Sequence, residues 1–314
     1  MPLLKIILLA IIQGLAELLP VSSSAHVVVA EKLLGLDPST PEMTLVLVML
    51  HTGTMFAVIV YFWPQWRRAY FASSDAFKRF AIRALWATFL TGLIGYPLQK
   101  LVAHVMFPGQ PKAVIEDLFG RLDLVAYALF AAGLLILWAG LKERSAESAS
   151  PDYARSLNRS GENVTFAQSG WMGAVQGICL PFRGFSRSGA TISTGLLTGS
   201  ARDRAEKFSF ALAVIITPLA IARELLRVLH AGHGAAASTA HSTEVHTAGL
   251  AMIFTVHSSI LGACLGMVFS FLAGLAALRW LSSWLESGKW YLFGIYCLAA
   301  SAFVAFLHFG PRHL

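Results

Sequence analysis

The residues able to do chemistry in this 314-residue chain concentrate in two short segments. The first, residues 13–26, carries Gln13, Glu17, Pro20, Ser22, Ser23, Ser24 and His26. The second, residues 176–191, carries Pro181, Arg183, Gly184, Ser186, Arg187, Ser188 and Thr191. Glu17 is the only acid among the first 30 residues, and Gln13 precedes it by one helical turn, so the two share a helix face. Serine hydroxyls beside the His26 imidazole offer a nucleophile and a proton shuttle. Arg187 supplies a forked cation suited to a phosphate group, Gly184 lets backbone approach closely, and Ser186, Ser188 and Thr191 offer hydroxyl donors. Taken singly each feature has a plain structural explanation: a serine turn caps a helix, a lone histidine is satisfied locally, and an isolated arginine snorkels. Their coincidence at two matched places points to a site for an anionic ligand.

The elements that hold these segments are apolar. Hydrophobic residues make up 56% of the chain, charged residues only 13%, and the mean hydropathy is +0.64. A soluble domain carries about 25% charged residues, so the composition indicates a polytopic helical membrane protein. No cleavable signal peptide and no separate soluble domain are expected. Six full spans are expected near 42–62, 84–103, 122–141, 206–229, 249–278 and 290–309. The apolar regions 2–36 and 168–200 are each cut by Pro and polar residues into two arms. The arms 23–36, 168–180 and 189–200 reach roughly 18–21 Å as helix, short of the ~30 Å hydrocarbon core. Broken backbone at membrane depth is tolerated only where it is buried in protein or lines a cavity. Both regions therefore read as re-entrant hairpins, each presenting a helix N-terminus, a natural anion site, at its tip.

The expected fold is thus all-α and polytopic: about six transmembrane helices plus two re-entrant hairpins, arranged as an inverted-topology repeat. The chain forms a single membrane domain, 1–314, with repeat 1 over about 1–141, repeat 2 over about 168–309 and a cytoplasmic linker near 142–167. Three spans per repeat invert the second unit, and inverted-repeat membrane proteins place their sites between the two halves. With both termini outside, 14 of the 24 basic residues fall in cytoplasmic segments, among them Arg67, Arg68, Lys78, Arg144 and Arg202. The outer loop 230–248 contains no Lys or Arg.

That loop does contain His230, His233, His241 and His246, but their spacing is unlike a zinc site, and a flexible outer loop is expected. Cys179, Cys264 and Cys297 all lie in apolar segments and read as small buried side chains. The net charge of +7 resides in short loops, as membrane topology requires, and excludes nucleic acid as a partner.

At these two segments the chain resembles the undecaprenyl-diphosphate phosphatase family of bacterial inner membranes, also known through bacitracin resistance. The family's first signature, roughly (E/Q)GxxEfLPvSS(S/T)xH, is matched throughout by residues 13–26. Its second, PGxSRSGxT, is matched over 183–191 except that Arg183 stands in place of the first Pro. The segment Arg204-Ala205-Glu206-Lys207-Phe208-Ser209-Phe210 is also similar, and the resemblance covers nearly the whole chain. It implies hydrolysis of undecaprenyl diphosphate to undecaprenyl phosphate and inorganic phosphate, recycling the lipid carrier of cell-wall synthesis, with a divalent cation, Mg²⁺ or Ca²⁺. On this basis Ser23, His26, Glu17 and Arg187 are the expected catalytic residues, with Ser23 the nucleophile and His26 its base or acid; attack by His26 itself or by water remains open. Ser22, Ser24, Gly184, Ser186, Ser188 and Thr191 are the expected substrate-binding residues, and Glu17 with Gln13 the expected metal ligands. Expected partners are the lipid substrate, membrane lipids and a second copy of the chain in a homodimer, in the bacterial plasma membrane with the site opening outward.

A lipid flippase or transporter is the rival from another class, because hairpins meeting at mid-membrane are also transporter architecture. Transport has no need of the Ser/His/Glu/Arg set. The other family of membrane lipid phosphatases requires a PSGH segment and a histidine where Ser193 stands, and neither is found.

Overall fold

The computed structural model describes residues 2–37, 40–107, 121–149, 163–238 and 245–310, with backbone alone at 41–42, 147, 149, 220, 223–225 and 227–260. Among the described residues there are ten helices and no strand. Helices α1 (Leu3–Leu18) and α2 (Ser23–Leu34) form the first hairpin, followed by α3 (Pro41–Ala69), α4 (Ser74–Met106) and α5 (Leu122–Ala149). Helices α6 (Phe166–Cys179) and α7 (Arg187–Leu197) form the second hairpin, followed by α8 (Arg202–Ser238), α9 (Val245–Glu286) and α10 (Trp290–Phe309). The order of hairpin plus three helices therefore occurs twice, as the sequence indicates.

Local chemistry sets the boundaries. Pro20 closes α1, and Ser22 caps α2 by accepting from the Ala25 amide at 3.4 Å. Ser186 caps α7 in the same way, accepting from the Gly189 amide at 3.2 Å, and Thr165 with Gln168 forms a capping box on α6. The arms α2, α6 and α7, with 12, 14 and 11 residues, are each too short to cross a ~30 Å core. Among the described residues five stretches are long and apolar enough to cross: 43–69, 74–106, 122–146, 261–286 and 290–309. The sixth expected span, 206–229, lies inside the 37-residue α8.

Two loop boundaries differ from expectation. The linker begins as helix, because α5 runs on to Ala149, and 150–162 lie outside the described residues. The histidine-bearing stretch also starts as helix, with His230 and His233 in α8 and His246 in α9. His241 and the remainder, 239–244, lie outside the described residues.

The two repeats exchange hairpins. Arm α1 packs against α9 of the second repeat, arm α6 packs against α4 of the first, and α5 lies along α10. Small residues allow these approaches where lipid provides no hydrophobic drive. A Cβ on Gly14 would meet Ala273 and the Ser270 carbonyl at 2.6 Å, and one on Gly173 would collide with the Ala87 carbonyl. Polar ties reinforce the packing: Thr91 Oγ1 donates to the Gly173 carbonyl at 2.9 Å, and Ser301 Oγ donates to the Ala126 carbonyl at 2.7 Å.

The contact at Gly173 separates a packing role from a propensity role. Gly173→Val should force α6 away from α4 at a cost of about 1–3 kcal/mol and lower the melting temperature in detergent. Gly92→Ala, on the same pair of helices but with open space around it, should be neutral or stabilising by up to about 1 kcal/mol. Thermal unfolding of both purified variants checks the contrast.

Candidate active site

The two hairpin tips meet, and their meeting point is Glu17. Its Oε1 accepts from Arg187 Nη2 at 3.1 Å. Its Oε2 accepts from Ser23 Oγ at 2.6 Å and from Gln13 Nε2 at 3.1 Å. The tips are also tied through backbone: the Gly184 amide donates to Ser24 Oγ at 3.1 Å, and Ser188 Oγ donates to the Leu19 carbonyl at 3.5 Å. The first residues of α2 and α7, Ser23 and Arg187, thus face one another, and the positive ends of both helix dipoles converge.

Between the tips lies a polar chamber of about 320 Å³, lined by Glu17, Ser22, Ser23, Ser24, Ser186, Arg187 and Ser188, with Arg183 and Gln176 at its walls. Arg187 Nη1 and Gln176 Oε1 are buried and have no hydrogen-bond partner. A buried donor and a buried acceptor left unpaired beside a chamber of this size are groups built for a polar ligand. Ser22 has φ 67°, the one positive φ at a non-glycine position among the described residues. Such backbone persists only where its surroundings over-determine it, and it tends to sit at functional sites.

Three expected site residues, His26, Thr191 and Gly184, do not line the chamber. Both ring nitrogens of His26 are engaged away from Ser23. Its Nδ1 lies 2.7 Å from the Ser22 carbonyl, which can only accept, so Nδ1 carries the hydrogen. Its Nε2 lies 2.7 Å from the Tyr296 hydroxyl, with the rings stacked at 5.7 Å, and His26 does not line the chamber. The ring therefore holds the strained Ser22 carbonyl in place. Thr191 is fully buried and bonded to the Arg187 carbonyl, the Ser188 carbonyl and Ser209 Oγ; it pins α7 to α8 and does not reach the chamber. Gly184 spends its amide on Ser24 and sits, at φ 104°, directly on the Val125 carbonyl, so it joins the tips instead of holding ligand.

His51 is a site residue that sequence reasoning missed. It projects from the middle of α3 into the chamber, with Nε2 3.7 Å from Glu17 Oε2. Its Nδ1 donates to the Leu47 carbonyl at 2.8 Å, which leaves Nε2 facing the carboxylate. The signal was present: an ionisable side chain in the middle of an apolar span is expensive and marks function.

Among the described residues no group of three or more His, Cys, Asp and Glu could form a closed metal cage. Mg²⁺ does not need one, since it is commonly held by one or two carboxylates with water and substrate phosphates completing its shell. Glu17 and the unpaired Gln176 Oε1 on the chamber wall meet that minimal requirement. Gln13, the other expected ligand, lies buried behind Glu17, donates its Nε2 to the carboxylate and does not line the chamber.

Comparison with known proteins agrees with this architecture. The family model for the bacitracin resistance protein BacA matches residues 6–303. A relative from Acinetobacter baylyi, undecaprenyl-diphosphatase 2, is 53% identical over 304 residues, covering 97% of each chain. Undecaprenyl-diphosphatase 1 of Burkholderia pseudomallei is 32% identical, and undecaprenyl-diphosphatase 2 of Burkholderia thailandensis 31%, each over 95% of this chain and 94% of its own. A family match spanning nearly every described helix, with a relative more than half identical along the same length, assigns the chain to the bacitracin resistance protein BacA family.

Proposed function

We propose that this protein hydrolyses undecaprenyl diphosphate to undecaprenyl phosphate and inorganic phosphate, the activity for which its relatives are named. In the cell this returns the lipid carrier to cell-wall synthesis and opposes bacitracin. The observation that carries the reading is the contact set Ser23–Glu17–Arg187, which joins a hydroxyl, a base and a phosphate-binding cation across the two hairpins.

The chemistry follows from positions. Glu17 Oε2, 2.6 Å from Ser23 Oγ, takes the hydroxyl proton as Oγ attacks the terminal phosphorus. The Oγ–P bond forms, the P–O bond to the bridging oxygen breaks, and undecaprenyl phosphate leaves with the electron pair. Once that proton has passed to His51, the carboxylate deprotonates a water that attacks the phosphorus. The Oγ–P bond breaks, Oγ takes a proton back from Glu17, and inorganic phosphate leaves. Arg187 and the two helix N-termini stabilise charge on the phosphoryl oxygens, the main task in such transfers. His51, close to the same carboxylate oxygen, exchanges the proton with Glu17 between the two steps. A divalent cation held by Glu17 and Gln176 would neutralise part of the diphosphate charge. A flippase reading suits the hairpins equally but leaves this contact set without a task.

Both termini lie on the outer side in this reading, and the chamber opens there, in a multi-pass protein of the bacterial plasma membrane. In intact cells Thr40→Cys should react with an impermeant thiol reagent and Ser73→Cys only after permeabilisation; the reverse pattern inverts the topology. The expected homodimer is checked by light scattering of the purified protein in detergent.

Phosphate release by purified protein should require a divalent cation and vanish with a chelator. Ser23→Ala should lower kcat by at least about 10³-fold, and acid quenching during turnover should trap phosphate on Ser23. Full turnover with no trapped phosphoserine would hand the attack to water. Well-folded protein that releases no phosphate under any metal would favour the flippase.

The two histidines are distinguished by pH. His51→Ala should remove one limb of the pH–rate profile, because it deletes a group that exchanges protons during the reaction. His26→Ala should lower kcat while keeping the profile's shape, because it only loosens the Ser22 backbone. Exchanged behaviour of the two variants would restore His26 as the acid–base residue.

A further inference from the structure

The polar chamber adjoins a second cavity of opposite character. About 280 Å³ of almost wholly apolar space lies between the outer half of α4 and the start of α5, lined by Val102, Val105, Leu124 and Val125. Its floor is Phe182 and Arg183 of the second hairpin's turn, and these same residues line the polar chamber. One short turn is therefore the partition between a phosphate-sized polar space and an apolar groove. The turn packs closely on α5, since a Cβ on Gly184, the next residue, would fall on the Val125 carbonyl.

Building on the proposed phosphatase activity, we propose that this groove receives the first isoprene units of the lipid diphosphate, with the diphosphate passing over Arg183 into the chamber. The arrangement matches an amphiphile: apolar lining against the prenyl chain, and the cationic Arg183 where chain gives way to phosphate. The groove is also open at one side, where Leu101 and Val105 on its lip are 58% and 64% exposed, which leaves the rest of the tail free to stay in the bilayer. The chamber's other apolar flank, between α3 and α8 at Met55, Val58, Phe210 and Val214, encloses only about 20 Å³. That holds one water and no isoprene unit. Because lipid is as apolar as the groove, the chain gains little affinity by entering it. The groove acts by shape, fixing how far the headgroup reaches toward Ser23.

Val102 and Leu124 line the groove and lie outside the catalytic set. Val102→Trp and Leu124→Trp should each lower kcat/KM for undecaprenyl diphosphate by at least about tenfold, the scale of a misfit in an apolar pocket, while leaving methyl diphosphate, which has no isoprene unit, unaffected. Unchanged kcat/KM for the long substrate, or equal loss for both substrates, would overturn the proposal. An undecaprenyl diphosphate analogue with a photoreactive group on its second isoprene unit supplies an independent readout on the unsubstituted protein. Labelling within 101–106 and 124–125 is expected. Labelling at 54–58 and 210–217, or elsewhere, would overturn the groove whether or not the analogue is hydrolysed, whereas groove labelling without phosphate release would defeat only the phosphatase reading.

Discussion

A carboxylate held within a membrane protein must be paired, and the pairing of Glu17 organises this molecule. Left alone at such depth it costs several kcal/mol and would take up a proton. Here one oxygen receives Arg187 from the second hairpin, and the other receives Ser23, Gln13 and, at longer range, His51. The contact stabilises the charge only if both hairpins are in place, so folding of the two repeats and assembly of the reactive centre are one event. The same electrostatic need that fixes the fold leaves a carboxylate hard against a serine hydroxyl.

The two hairpins are docked alike and equipped differently. The first arm of each carries a Gln-Gly pair near its tip, Gln13-Gly14 and Gln176-Gly177, and each glycine lets its arm press on a helix of the other repeat. Four residues after each Gln the repeats diverge: Glu17 in the first, Leu180 in the second. Gln13 accordingly turns its amide to the carboxylate, while Gln176 turns its amide to Thr91 and leaves its carbonyl oxygen unpaired on the chamber wall. A symmetric frame thus carries an asymmetric centre, with the base and serine from one side and the arginine from the other.

Much of this was legible in the sequence for physical reasons. Short apolar arms broken by Pro20 and Pro181, with hydroxyls at the breaks, permit little except hairpins, and the helices end within three residues of the expected arms. Glu17, Ser23 and Arg187 meet as expected because each sits at a helix end beside a tip. What spacing could not reveal was the direction of a side chain about its helix. Thr191 lies one turn into α7 and turns toward Ser209, and His26 lies one turn into α2 and turns toward Tyr296, some 270 residues away in the chain. His51 escaped notice because it lies far along the chain from both polar segments; only the packing of α3 against the first hairpin makes it a neighbour of Glu17.

The central claim is that Glu17 and Arg187 act as one unit across the hairpin interface. A double-mutant cycle on kcat/KM with Glu17→Gln, Arg187→Lys and the pair tests it directly, using variants that keep the shape of each side chain. Residues acting as a unit are strongly non-additive, so the double variant should lose little more than the worse single variant. If the two losses simply multiply, the residues act independently, and this account of the site is wrong.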